Sequence, residues 1–256
     1  MSGGADGRTG DVWLHRWRPR PRAGTRLVCF PHAGGSAAFF APWSTKLPAE
    51  IDVAAVRYPG RADRLAEPPL TSMSTLVDEI ARALEPLADR PTVLFGHSLG
   101  ALVAYEVARE LTRRDVPPAR LIVSGRRAPG DAPGGTKHLL SDDELVGELV
   151  RLGGTEPGLL ASEDARSVFL PAIRADFRLA ENYRRLPGRE PSCPLTVLVG
   201  DEDTEVDARR AGLWAGHTTN GTCTTHVLPG GHFYLIPREK TVLALLVEAC
   251  AIPAAA

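Results

Sequence analysis

Apolar residues follow two rhythms along this chain. Short runs rich in Val, Ile, Leu and Phe alternate with longer segments in which apolar positions return every three or four residues, the repeats of strand and helix. The runs predict strands over Val12–Trp17, Arg26–Phe30, Val53–Arg57, Thr92–Phe95, Arg120–Ser124, Leu195–Val199 and Thr225–Leu228. The first alternates in and out and reaches Arg26 through a Pro/Gly-rich turn, which predicts an antiparallel edge strand. The later runs are nearly continuous, as expected of strands covered on both faces. Helices are expected over Thr75–Ala88, Ser98–Arg113, Ser141–Leu152, Glu163–Arg185, Ala208–Ala215 and Arg238–Ala249, with Ser141 and Glu144 in capping-box spacing. This order predicts an α/β fold with a mostly parallel sheet and helices on both faces.

The alternation breaks once. Between Ala128 and Cys193 lie two helical patterns and no convincing strand, opened by APGDAPGG and closed by LPGREPSCP. Such an excursion predicts a helical insertion over the carboxyl edge of the sheet, the alternative being a long crossover helix on the sheet face. The expected organisation is a tail over 1–11, a core built from 12–128 and 193–250, and a helical lid over 129–192.

Val93-Leu94-Phe95-Gly96-His97-Ser98-Leu99-Gly100 runs from an apolar strand through G-x-S-x-G into an amphipathic helix, the context this nucleophile motif requires. The turn strains Ser98 and exposes its hydroxyl, while the helix start aims free N–H groups at developing negative charge. His97 is expected to shape the turn. A serine needs a base and the base an orienting acid, here expected in the order Ser, Asp or Glu, His. The strand Leu195–Val199 ends in Gly200-Asp201-Glu202-Asp203, and the last strand is followed by Pro229-Gly230-Gly231-His232-Phe233. Of the seven histidines, His232 alone follows the acidic loop on a Gly-rich turn beyond a strand; His217 sits in a polar connector and His226 within a strand. Asp203 is preferred as the acid because reaching the imidazole takes a few residues beyond the strand, with Asp201 as the alternative or as a brace for the loop. Two backbone donors are also needed at the oxyanion. Leu99 N–H is one, and the Gly-rich loop Phe30-Pro31-His32-Ala33-Gly34-Gly35-Ser36 offers Ala33 as the other.

These segments, with Tyr58-Pro59-Gly60-Arg61, Arg64 and Glu67-Pro68-Pro69, resemble the type II thioesterases of polyketide and nonribosomal peptide synthases. The resemblance spans about Leu27 to Leu246. It implies an α/β-hydrolase core with a mobile lid, and Ser98, Asp203 and His232 as a triad with Ala33 and Leu99 as oxyanion donors. It also implies hydrolysis of acyl thioesters from the phosphopantetheine arm of acyl or peptidyl carrier proteins, an editing task. The arm belongs to the partner, so no cofactor is expected. Phe169, Ile173, Phe177 and Ala180 form an apolar face for sheet or acyl-chain contact, and Arg174, Arg178, Arg184 and Arg185 could face an acidic carrier. A release thioesterase fused to a synthase is disfavoured by the start at Met1. Competing readings are a general carboxylesterase or lipase and a silent hydrolase-fold binding module.

Composition narrows the partners further. Thirty basic against 31 acidic residues leave a net charge of −1, which gives no global field for nucleic acid or an anionic membrane. No apolar run is long enough to span a bilayer and the polar opening does not read as a signal peptide, so a cytoplasmic location is expected, with a monomer as the default. Cys29, Cys193, Cys223 and Cys250 are scattered and expected to be free thiols without metal-ligand spacing.

Overall fold

The computed structural model describes residues 12–131, 134–154 and 157–252, so the expected tail over 1–11 lies outside the described residues. Seven strands form one sheet: β1 (Leu14–His15), β2 (Thr25–Phe30), β3 (Ile51–Val56), β4 (Thr92–His97), β5 (Arg120–Ser124), β6 (Leu195–Gly200) and β7 (Cys223–Leu228). Their order is β1-β3-β2-β4-β5-β6-β7, with β1 antiparallel to β3 and all other pairs parallel. Strands β2 and β3 are buried along their whole length, as expected of strands covered on both faces, even at Arg26 and Asp52, which pair with each other at 3.4 Å. Strand β7 departs from that expectation: as the outer strand it leaves Val227 half exposed.

The first strand is antiparallel and at the edge as expected, but its partner and length differ. Only Leu14 and His15 bridge, and they pair with Val56 and Ala55 of β3, not with β2 by a hairpin. Trp13 is buried with the Arg64 guanidinium 4.3 Å over its ring, and its carbonyl accepts from Arg57 N–H at 2.8 Å just past the end of β3.

Five helices exceed two turns among the described residues: α1 (Met73–Leu84), α2 (Leu99–Arg113), α3 (Asp142–Leu152), α4 (Glu163–Glu181) and α5 (Glu239–Cys250). Helix α1 starts earlier than expected, on the Ser72 cap, and gives way after Leu84 to a helical turn containing Pro86. The capping box forms on α3, which ends at Gly153 with φ 86°, the left-handed stop that favours glycine. Helix α4 stops at Glu181, short of the expected Arg185. Beyond it Tyr183 Oη and Leu186 N both donate to the buried Glu106 carboxylate, and Pro187 disfavours a helical Leu186. The expected Ala208–Ala215 helix is one short helix, Ala208–Ala211, followed by a tighter turn over Gly212–His217.

Alternation along the strands divides the core in two. Val28, Phe30 and Leu94 face the layer of α1 and α2, whereas Leu27, Cys29 and Phe95 face Phe40, Trp43 and α5. A third, smaller core lies between α3 and α4, where Leu145, Leu149, Leu160, Leu170, Ile173 and Phe177 are buried together. Each such side chain contributes on the order of 1.5–3 kcal/mol when fully buried. The order of β2, β3 and β4 reverses direction at β2, and an α/β sheet leaves a crevice at such a switch point. The loops leaving β2 and β4 therefore emerge side by side, with Phe30 paired to Gly96. Cys29, Cys193 and Cys250 are buried and Cys223 half-buried, all free. Burial pushes the thiols of Cys193 and Cys250 up to about 12.

Candidate active site

The turn after β4 holds Ser98 at φ 55° and ψ −116°, a conformation costing on the order of 1–3 kcal/mol for a residue with a side chain. What sustains it is close backbone approach. A Cβ on Gly96 would lie 2.1 Å from the Gly100 carbonyl oxygen, and one on Gly100 would lie 2.1 Å from that of Phe30. Ser98 N–H donates to Ser124 O at 2.8 Å, tying the turn to β5. Leu99 opens α2, so no carbonyl within that helix can take its N–H.

Beside it, Gly35 N–H closes a turn onto His32 O at 2.9 Å, with Gly34 at φ 75° in the position where a type II turn calls for glycine. Ala33 occupies the preceding corner, and among the described residues its N–H meets no acceptor.

The loops after β6 and β7 bring the acid and base together. His232 Nδ1 donates to Asp203 Oδ2 at 2.9 Å and lies 3.1 Å from Oδ1, both residues being buried. Asp201 instead accepts from Gly230 N–H at 2.8 Å and so braces the loop that carries His232. Among the described residues no hydrogen bond joins Ser98 to His232; such contacts are often loose before substrate binds. Ser98, Ala33, Leu99 and His232 nevertheless line one cavity of about 220 Å³.

His97 points away from the cavity. Its Nδ1 meets Ser124 Oγ at 2.9 Å, Ser124 meets Tyr234 Oη at 2.5 Å, and the ring packs 5.0 Å from His232. Burial, then the charges of His232 and His32, keeps its pKa well below the usual histidine range. His32 packs edge-on against Phe39 and Phe233, and burial lowers its pKa to about 3, helped by His232 and Arg61. Both rings are thus neutral spacers. His217 and His226 are remote from this cavity's lining.

The thioesterase domain family matches residues 25–249. The chain belongs to the thioesterase family. It is 42% identical over 93% of its length to a probable cadicidin biosynthesis thioesterase of Streptomyces griseus, spanning 65% of that protein. It is also 42% identical to thioesterase PikA5 of Streptomyces venezuelae, covering 88% of this chain and 80% of that one. Among solved structures, the type II thioesterase BorB of the borrelidin cluster superposes with a TM-score of 0.87 at 42% identity, over 94% of this chain and 98% of that one. The sheet and its helices are accordingly those of an α/β-hydrolase.

In this thioesterase α3 and α4 cover the cavity. Phe177 and Ala180 of the expected apolar face line it, Ile173 packs within the small core between α3 and α4, and Phe169 remains 36% exposed. The face serves packing and cavity at once. The far wall is charged: Arg126 Nη2 donates to Ala180 O at 3.0 Å, and burial lowers its pKa to about 10. Lys137 bridges Glu148 and Glu205 at 2.7 and 2.8 Å. The four arginines do not act as one free patch. Arg174 pairs with Asp142, Arg185 with Glu190, and Arg184 donates to Tyr183 O.

One pair had no expected role. Arg61 Nη1 and Nη2 meet Asp176 Oδ2 and Oδ1 at 2.5 and 2.8 Å, and Asp176 Oδ2 also accepts from Gly34 N–H at 2.8 Å. The sequence carries a hint: Asp176 interrupts the apolar spacing of Ile173, Phe177 and Ala180 with a charge. No described group of three or more His, Cys, Asp or Glu could hold a metal ion, and no described helix is long and apolar enough to cross a membrane.

Proposed function

We propose that this thioesterase edits polyketide or nonribosomal peptide assembly by hydrolysing misprimed or stalled acyl groups from the phosphopantetheine arm of acyl or peptidyl carrier proteins. The observation that carries the reading is the convergence of Ser98, the Asp203–His232 pair and the Ala33 and Leu99 amides on one cavity beneath α3 and α4. Residues 12–128 and 193–250 serve as the hydrolase core and 129–192 as its lid. The protein works in the cytoplasm, as a monomer, without nucleic acid or membrane partners.

His232 takes the Ser98 proton at its Nε2 as Ser98 Oγ bonds to the thioester carbonyl carbon. The oxyanion so formed receives the N–H groups of Ala33 and Leu99, each donor of this kind being worth about 2.7–4 kcal/mol. Collapse breaks the C–S bond, and the imidazolium returns its proton to the departing pantetheine sulfur. A water, deprotonated by His232, then attacks the acyl-serine and releases a carboxylic acid and free Ser98. Asp203 fixes the tautomer with Nδ1 protonated and stabilises the cation. The arm is part of the substrate, and none of these steps needs a cofactor.

Two measurements test this. Labelling by a serine-directed phosphonate should vanish in Ser98→Ala; labelling that survives moves the nucleophile elsewhere. Hydrolysis of acetyl or propionyl carrier protein should exceed that of free esters of matched acyl length, and equal rates would favour a general carboxylesterase.

A further inference from the structure

We propose that Asp176, neutralised by Arg61, is a positioning residue for the oxyanion loop, so that seating α4 over the cavity also assembles the oxyanion hole. This rests on the reading of Ala33 as an oxyanion donor. Asp176 belongs to the covering helix, Arg61 to the loop after β3, and Gly34 to the loop after β2. The carboxylate takes the N–H of Gly34, leaving that of its neighbour Ala33 free, while Arg61 Nη1 also holds Gly35 O at 3.2 Å. Two of the four residues of this turn are thereby fixed from outside it. Ile173, one helical turn before Asp176, presses the other side: its Cγ1 lies 3.0 Å from where a Gly34 Cβ would stand.

The charge arrangement has a further effect on rate. Asp176 is 2% exposed and Arg61 8%, so water screens neither well. An oxyanion on Ala33 would form on the order of 7 Å from the carboxylate, counting one hydrogen bond to each of two adjacent amides. At an effective dielectric constant of about 20, two like charges at about 7 Å slow such a step on the order of 50-fold. Arg61 cancels that repulsion. Removing Arg61 alone should therefore hurt catalysis more than removing both charges.

The test uses the full chain with p-nitrophenyl propionate, a substrate that needs no carrier, and counts competent sites by phosphonate titration. Arg61→Met should lower kcat per titrated site ~100-fold with KM changed less than ~3-fold. The double variant Arg61→Met with Asp176→Leu should recover ~5-fold or more of that loss. A kcat for Arg61→Met within ~3-fold of the parent, or a double variant no faster than Arg61→Met, overturns the proposal. Should Arg61→Met fail to fold, Asp176→Asn decides. It keeps an acceptor for Gly34 and removes the charge that Arg61 cancels, so kcat should stay within ~3-fold of the parent at constant KM, whereas Asp176→Leu, which removes the acceptor as well, should lose ~10-fold; equal kcat in the two variants overturns the proposal. A drop in melting temperature with unchanged kcat per site in Asp176→Leu would mark the pair as merely structural. The carrier reading is left untouched by any of these outcomes, since it is decided by the carrier-protein comparison.

Discussion

Replacing Gly100 with alanine places a methyl carbon 2.1 Å from the Phe30 carbonyl oxygen and 2.7 Å from that of Pro31. The first contact falls about 0.9 Å short of the 3.0 Å below which real Cβ contacts are essentially never found. Neither obstacle is a flexible side-chain tip. Phe30 is the last residue of β2 and is paired with Gly96, so relief requires the start of α2 or the end of β2 to move. Movement of β2 drags Pro31, His32 and the Ala33 amide; movement of α2 drags Ser98 and the Leu99 amide. Overpacking of this kind costs about 1–3 kcal/mol, and a misplacement of about 1 Å at a reacting centre costs ~100-fold in rate. Gly100→Ala should thus lose about 3 kcal/mol in urea unfolding and ~100-fold in kcat for p-nitrophenyl propionate. Gly147→Ala is the control, since an added Cβ there meets nothing within 4 Å on the exposed side of α3. It should gain up to about 1 kcal/mol and leave kcat unchanged. Parent-like stability and kcat in Gly100→Ala would refute the close-approach account of the turn.

Asp203→Asn should lower kcat ~10³-fold or more, because an amide can leave His232 in the wrong tautomer, whereas Asp201→Asn, which can still accept from Gly230 N–H, should cost less than ~10-fold; the reverse ranking in steady-state kinetics would exchange the two roles. Because burial holds the folded-state pKa of His32 near 3, below its ordinary 6.5, the unfolded chain binds the extra proton between those values. The stability from keeping it neutral is therefore complete above pH 6.5 and is lost as pH falls, by up to about 1.4 kcal/mol per unit. Urea unfolding between pH 5 and 6.5 should show a shallower slope for His32→Gln than for the parent, and identical slopes would count against a buried neutral ring.

What the sequence made readable was whatever its local order encodes. Strand, Gly96, Ser98, Gly100 and helix are contiguous, so the strained turn could be read at once, and the loops carrying Asp203 and His232 were marked by the strands before them. The choice between Asp203 and Asp201 turned on reach, and the structure gives the two different partners, His232 and Gly230 N–H. The misreadings lie where a distant residue decides. Val12–Trp17 looks like a strand, but β3 pairs with only two residues of the run, and Trp13 packs its ring under Arg64 from the loop after β3. The end of α4 is set by Glu106 on α2, and Asp176 is explained by Arg61 from another loop. No window of neighbouring residues contains those partners.

Ala33 packs against both the small core between α3 and α4 and the larger core on the α1 and α2 side of the sheet, to which α4 gives Leu179 and Ala180 from its last turn while Leu170, Ile173 and Phe177 stay with the small core. A cluster that owns its apolar contacts can open as a cooperative unit at less than the cost of global unfolding. Amide hydrogens of α3 and of α4 up to Phe177 should therefore exchange with deuterium together, and sooner than those of β2, β4 and α2. Because Ala33 and the neighbouring Gly34 bond are what such an opening lets go, each excursion would switch off the donor pair as well as unroof the cavity. The resting enzyme would then be catalytically competent only while covered, which suits the proposed editing role, in which properly loaded carriers are left alone.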